Sequence, residues 1–132
     1  MSQEDFEIVR RSFDAWNELD IEAIRRCYTE DAVIETGIIE LGRTLEGDDD
    51  SIGHWVAETR EVWAEVHWDI ERLFEGCGVV LSFYRGTGIG RQSGVEVVRD
   101  LAGVYRIRDG LIASERVSLD REEALEAAGL RG

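Results

Sequence analysis

Apolar residues in the first third of the chain recur every three to four positions, and past the midpoint they alternate. Phe6, Val9, Phe13 and Trp16 stand at helical spacing with charged residues between them, which predicts an amphipathic first helix. Ile21, Ile24 and the Cys27-Tyr28 pair repeat the pattern on a shorter second helix, with Asp20 as its N-cap. Ala32 to Thr36 reads as a strand. Ile52, Trp55, Thr59 and Val62-Trp63 then form the inner stripe of a third helix. The run before it, EGDDDS from Glu46 to Ser51, places acids where they cap that helix and suit its positive N-terminal dipole. It lacks the ligand spacing of a calcium loop.

From Val66 onward the period is that of strands. His67 to Phe74 is the first, with a turn at Glu75-Gly76, and Val79 to Arg85 is the second. GTGIGRQSG, Gly86 to Gly94, reads as a flexible bend leading to a long strand from Val95 to Ile107. Asp109-Gly110 is a hairpin turn signal, and Leu111 to Leu119 closes the sheet. Asp120 and Glu123 make a capping-box variant, Ala124 to Ala128 is helical, and Gly129 stops it. With no Pro, linker tract or internal repeat, residues 1–132 are expected to form a single domain. The order predicts an α+β fold, with helices laid on one face of a curved, mostly antiparallel sheet.

Composition narrows the chemistry. The 132 residues are 43% hydrophobic and carry a net charge of −14, so nucleic acid and anionic membrane surfaces are not expected partners. Every basic residue is Arg, which excludes Schiff-base chemistry through a Lys amine. MSQEDFEI has neither a basic nor an apolar leader region, and no apolar run reaches bilayer length, so a soluble cytoplasmic protein is expected. Cys27 and Cys77 lie far apart without CxxC spacing and read as buried free thiols. The glycine-rich run has Arg91 where the dinucleotide fingerprint needs a third Gly, and a strand follows it instead of a helix. His54 and His67 sit on different elements without metal-ligand spacing, and no GxSxG elbow is present, so neither a metal nor a cofactor is expected.

One carboxylate stands out. In the last strand Ala113, Glu115, Val117 and Leu119 share one face, while Ile112, Ser114, Arg116 and Ser118 share the other. The face holding Val117 and Leu119 is the inner one, which carries Glu115 inward. There, desolvation raises a carboxyl pKa and suits it to acid/base work near neutrality. The alternative is an ion pair with Arg85 or Arg99. Trp16 and Trp55 serve as core and pocket wall together, because in a small cone the two are one surface.

The stretches EDFEIVRRSFDAWNELDIEAIRRCYTEDAVIET and LAGVYRIRDGLIASERVSLDREEALEAAGL together resemble the SnoaL-like branch of the nuclear transport factor 2 superfamily, related to the ketosteroid isomerases. The resemblance implies a cone-shaped sheet with three helices from the N-terminal half on its concave face and a short C-terminal helix, a cystatin-like architecture. It also implies a homodimer, with Val95, Val97 and Val98 on a β-branched strand available to a second copy. Against the ketosteroid isomerases, the base position falls on Thr36, the oxyanion-hole Tyr on Ser12 and its Asp on or near Gly103, so that catalytic set is missing. The wall positions Trp16, Tyr28, Trp55, Tyr105, Val117 and Leu119 keep their bulky character. Two functions follow. One is a cofactor-independent isomerase, cyclase or dehydratase acting on a small apolar carbonyl or hydroxyl compound. In it Glu115 moves the proton, Tyr28, Tyr105 or Thr36 meets the oxygen, and Thr59 joins the ligand wall. The other is a non-catalytic ligand-binding pocket or a dimeric interaction module.

Overall fold

The computed structural model describes residues 2–36, 44–46 and 51–129. Its elements run α1 (Ser2–Glu18), α2 (Ile21–Arg25), β1 (Tyr28–Thr36), β2 (Thr44–Glu46), α3 (Ser51–Val62), β3 (Trp63–Glu75), β4 (Val80–Gly90), β5 (Glu96–Arg108), β6 (Leu111–Ser118) and α4 (Arg121–Ala127). The strands form one sheet in the order β2-β1-β6-β5-β4-β3, antiparallel except for the β1–β6 pair. The expected α+β architecture with a mostly antiparallel sheet is therefore present, with a short strand, β2, added at one edge.

Local signals explain where the elements stop. Asp20 caps α2, its side chain accepting from the Ala23 backbone N–H. The chain leaves α1 through Leu19 in a left-handed conformation (φ 52°), with Leu19 N donating to Trp16 O and Asp20 N to Ala15 O. These two bonds close the helix as a Schellman motif, with Leu19 where glycine is usual. Asp109 and Gly110 both have positive φ, as a tight two-residue hairpin requires.

Four boundaries differ from the periodic reading. Tyr28 opens β1 instead of closing the second helix. Val62 is an exposed end of α3 and Trp63 already belongs to β3, so neither extends the inner stripe. The first half of the glycine-rich run, Gly86 to Gly90, is strand and not bend. Its glycines make room for tryptophans on β3: a Cβ at Gly88 would lie 2.7 Å from the Trp63 ring, and one at Gly86 would lie 3.3 Å from Trp68. In β6, Ala113 bulges, because Arg106 pairs with Ser114 while Ile107 pairs with Ile112. The bulge turns Ile112 into the core, against the simple alternation, and leaves Glu115 and Val117 inward. The reading of Glu46 to Ser51 as a capping loop falls on residues that are largely outside those described.

Two cores lie on opposite faces of the sheet. The concave core joins α1, α2 and α3 to the inner faces of the strands through Val9, Phe13, Ile24, Val56, Tyr84, Leu101 and Tyr105. The convex core is smaller, formed by Val79, Leu81, Ala102 and Val104 beneath Ala124 and Ala128. α4 therefore covers part of the outer face. At its end, Gly76 passes so close that a Cβ would meet Ala128 O at 2.5 Å.

Candidate functional site

The polar groups of the concave core converge on Glu115. Tyr28, at the start of β1, donates its phenol hydrogen to Glu115 Oε1 at 2.5 Å, and Trp16 on α1 donates its indole N–H to the Tyr28 oxygen at 3.0 Å. Glu115 and Tyr105 are register partners across β6 and β5, so both face inward. Tyr105 shares a 3.0 Å hydrogen bond with Ser82, and both are buried. Its hydroxyl lies 2.5 Å from where a Cβ on Gly103 would stand. The Tyr105 phenol therefore fills the space that a side chain at Gly103 would occupy.

Glu115 itself is half-buried, while Tyr28 and Tyr105 retain only 5% and 1% of their surface. Oε2 has no hydrogen-bond partner among the described residues, and their one buried unpartnered side-chain N or O atom is Arg121 Nε. Among the described residues, Glu115 thus has one oxygen held and one without a hydrogen-bond partner. Burial pushes its carboxyl up to about 7, with the Tyr28 hydrogen bond pulling the other way. Burial first, and the Glu115 charge second, hold the Tyr28, Tyr105 and Tyr84 phenols above their ordinary range. Near neutrality all three are neutral phenols near one titrating acid, and Tyr28 donates to it.

The alternative reading, an ion pair of Glu115 with Arg85, is not what the fold forms: Arg85 Nε bonds Asp100 at 3.1 Å, and the Glu115 carboxylate accepts from Tyr28. Other site expectations fare differently. Trp16 packs edge-on to Trp68 (6.5 Å between centroids), and Val117 lies half-buried against the concave core. Thr59 is buried, but its hydroxyl is used within α3, donating to Trp55 O at 2.9 Å. Trp55 is half-buried outside the central cluster. Thr36 closes β1 opposite Val117, and its side chain is not among those described. Leu119 requires correction: it lies beyond the end of β6 with 45% of its surface exposed, because the strand gives way to the α4 cap at Asp120. Ser82 was not singled out from the sequence, although the alternation Val80, Ser82, Tyr84 places it on the inner face. Cys77 is exposed, not buried, and both thiols are free.

Two depressions lie on the surface, one away from this cluster and one reaching its edge. A groove of about 680 Å³ runs beside Leu19, Arg60, Trp63, Val66, Ile89 and Arg91 at the β3–β4 end, away from Glu115. A hollow of about 220 Å³ lies between β1, β5, β6 and α4, with Val33, Val104, Arg106 and Ala127 among its lining and Glu115 at its margin. Among the described residues no group of three His, Cys, Asp or Glu side chains converges as a metal site, and no helix is long and apolar enough to cross a membrane.

The helix-lined, mostly antiparallel sheet is similar in fold to a solved nuclear transport factor 2-like protein from Burkholderia pseudomallei, at 16% identity and TM-score 0.78, over 95% of this chain and 97% of that one. The SnoaL-like domain model matches residues 9–115, and the chain belongs to that family. It is similar in fold to a ketosteroid isomerase-like protein from Catenulispora acidiphila solved with trimethylamine, at 22% identity and TM-score 0.77, covering 94% of this chain and 93% of that one. TerC co-crystallised with polyporic acid matches at 20% identity and TM-score 0.78, over 93% and 96% of the two chains. A candidate SnoaL-like polyketide cyclase from Jannaschia sp. matches at 18% identity and TM-score 0.75, over 98% and 94%. No curated protein matches the sequence significantly.

Proposed function

We propose that the protein is a cofactor-independent acid/base enzyme in which Glu115 moves a proton on a small, largely apolar carbonyl or hydroxyl compound. The observation that carries this reading is the division of labour at Glu115. Oε1 is fixed by Tyr28, Oε2 is open, and the carboxyl titrates near the pH at which a base is most effective. Tyr105 and Ser82 supply hydroxyls on the same face, Trp16 and Val117 supply apolar wall, and isomerisation, aldol cyclisation or dehydration all suit this equipment. That two solved structures of like fold hold small organic molecules is consistent with the substrate class.

A substrate-independent probe tests the base. In 5-nitrobenzisoxazole, removal of the ring C–H proton breaks the N–O bond and releases a coloured nitrophenolate, so the reaction reports a desolvated carboxylate directly. The wild type is expected to exceed Glu115→Gln by on the order of 100-fold, with a rate that rises as pH passes about 7. Equal rates for the two proteins would reject the base and leave a binding or interaction module. The same reading includes a homodimer formed through the uncovered part of the sheet, where Val95 and Val98 are more than half exposed. Sedimentation at micromolar concentration should show a species of twice 14.9 kDa, and a monomer alone would exclude the dimer.

A further inference from the structure

An indole nitrogen is a donor only, so the Trp16 Nε1–H must point at the Tyr28 oxygen. A phenol carries one hydrogen, and with the indole already donating to its oxygen, that hydrogen goes to Glu115 Oε1. Every donor in the chain faces the same way, from α1 through β1 to β6. The opposite polarity, a protonated Oε1 donating back to Tyr28, would aim a second hydrogen at an oxygen that already accepts from the indole.

We propose that Trp16 is a positioning residue whose indole N–H fixes the polarity of the Trp16–Tyr28–Glu115 chain, so that Glu115 takes and returns its proton through Oε2 alone. The use made of this wiring rests on the acid/base reading above, but its test needs no substrate. The groups that face the carboxyl from the surrounding strands are phenols: Tyr28 from β1, Tyr105 from β5 and Tyr84 from β4. Among the described residues, burial raises its titration and the Tyr28 hydrogen bond lowers it. A change at Trp16 therefore reaches Glu115 through Tyr28.

The experiment is a pH titration of the Glu115 side-chain carbon by NMR in protein labelled at glutamate, with the signal assigned by its loss in Glu115→Gln. Trp16→Phe keeps an aromatic ring and removes the donor. It weakens the Tyr28 bond and should raise the midpoint by about half a pH unit. Tyr28→Phe removes the charge-assisted bond and should raise it by about one unit. The double variant should titrate like Tyr28→Phe alone, because the indole has no other route to the acid. Additive shifts, or a midpoint unmoved by Trp16→Phe, overturn the proposal. If Trp16→Phe does not fold, the unaltered protein still decides. The Trp16 indole ¹⁵N–H signal should follow Glu115 with a midpoint of about 7 and stop titrating in Glu115→Gln. An indole signal indifferent to pH overturns the wiring. Correct wiring with no attack on the benzisoxazole would remove the acid/base reading and leave the polarity intact.

Discussion

The two faces of the sheet bury their surfaces under different rules. On the convex face, Leu81, Ala102 and Val104 meet Ala124 and Ala128, and the buried Ser118 opposite Ala102 spends its hydroxyl on Asp120 O at 3.2 Å. One charge reaches its edge: Arg121 bonds Glu71 at 2.6 Å and lies 4.6 Å above the Phe83 ring, with its Nε buried. The concave face instead buries Ser12, Ser82, Tyr28 and Tyr105 and places a titrating carboxyl among them. A dry core only has to hold together. An acid pulled out of its ordinary range weakens the fold, and its retention there is what a working site looks like.

The largest expected effect falls on the convex face. Leu81 is wholly buried, and Leu81→Ala should cost about 3 kcal/mol through lost burial and an incompletely filled cavity. Urea unfolding should show the same loss at acidic and alkaline pH, since nothing in that cluster titrates. A loss that grew with pH would mean the convex cluster supports the carboxyl after all.

Glu115→Gln should do the reverse. The folded protein keeps a proton on Glu115 up to about 7, whereas the unfolded chain releases it near 4.5. Between those values the folded state binds more protons, so stability falls as pH rises through the window and is flat above it. The amide removes that slope. Glu115→Gln should therefore gain up to about 3 kcal/mol at alkaline pH and nothing where the carboxyl is protonated in both the folded and the unfolded chain. Thermal melts across the pH range check this, and a uniformly destabilised variant would contradict the raised acid.

Gly103→Ala probes the seam of the concave face. Its methyl would stand 2.5 Å from the Tyr105 hydroxyl and 3.1 Å from Ser82 Oγ, so the phenol must swing away and break the bond between them. The expected cost is about 1 to 2 kcal/mol, read by denaturation and by a changed near-ultraviolet tyrosine signal. An unchanged signal would show that Tyr105 has room the close contact denies.

What the sequence revealed follows the same division between near and far. The first helix, the Asp20 cap, the Asp109-Gly110 turn and the Asp120 cap were legible because each is specified within a few residues, whereas Glu123 does not complete the expected box: it bonds Arg116, and Asp120 N donates to Ser118 Oγ. Gly86 and Gly88 misled because their reason lies across the strand pair, under Trp68 and Trp63. Alternation placed Glu115 on the inner side correctly because the Ala113 bulge precedes it, and it misplaced Ile112 for the same reason. Leu119 failed because the strand stops one residue short of it. The choice of Tyr28 over Tyr105 as the bonded hydroxyl spans 87 residues and depends on where β1 meets β6, which no local pattern records.

Asp120 gives the smallest effect and the sharpest comparison. Its carboxylate accepts from the Glu122 and Glu123 backbone N–H groups at 2.9 and 3.3 Å, satisfying two donors that α4 cannot satisfy itself. Asp120→Ala should cost about 1 kcal/mol. α4 has only seven residues and does not persist without its cap and its packing, so the loss should appear as local undocking. Amide exchange should quicken over 121–128, while the concave face keeps its protection. Because the cap and the carboxyl share no partner, Asp120→Ala should leave the Glu115 midpoint where it was, and the two substitutions should add in stability. A shifted midpoint would show that β5 and β6 transmit strain through the sheet, and the two faces would then have to be treated as one coupled core.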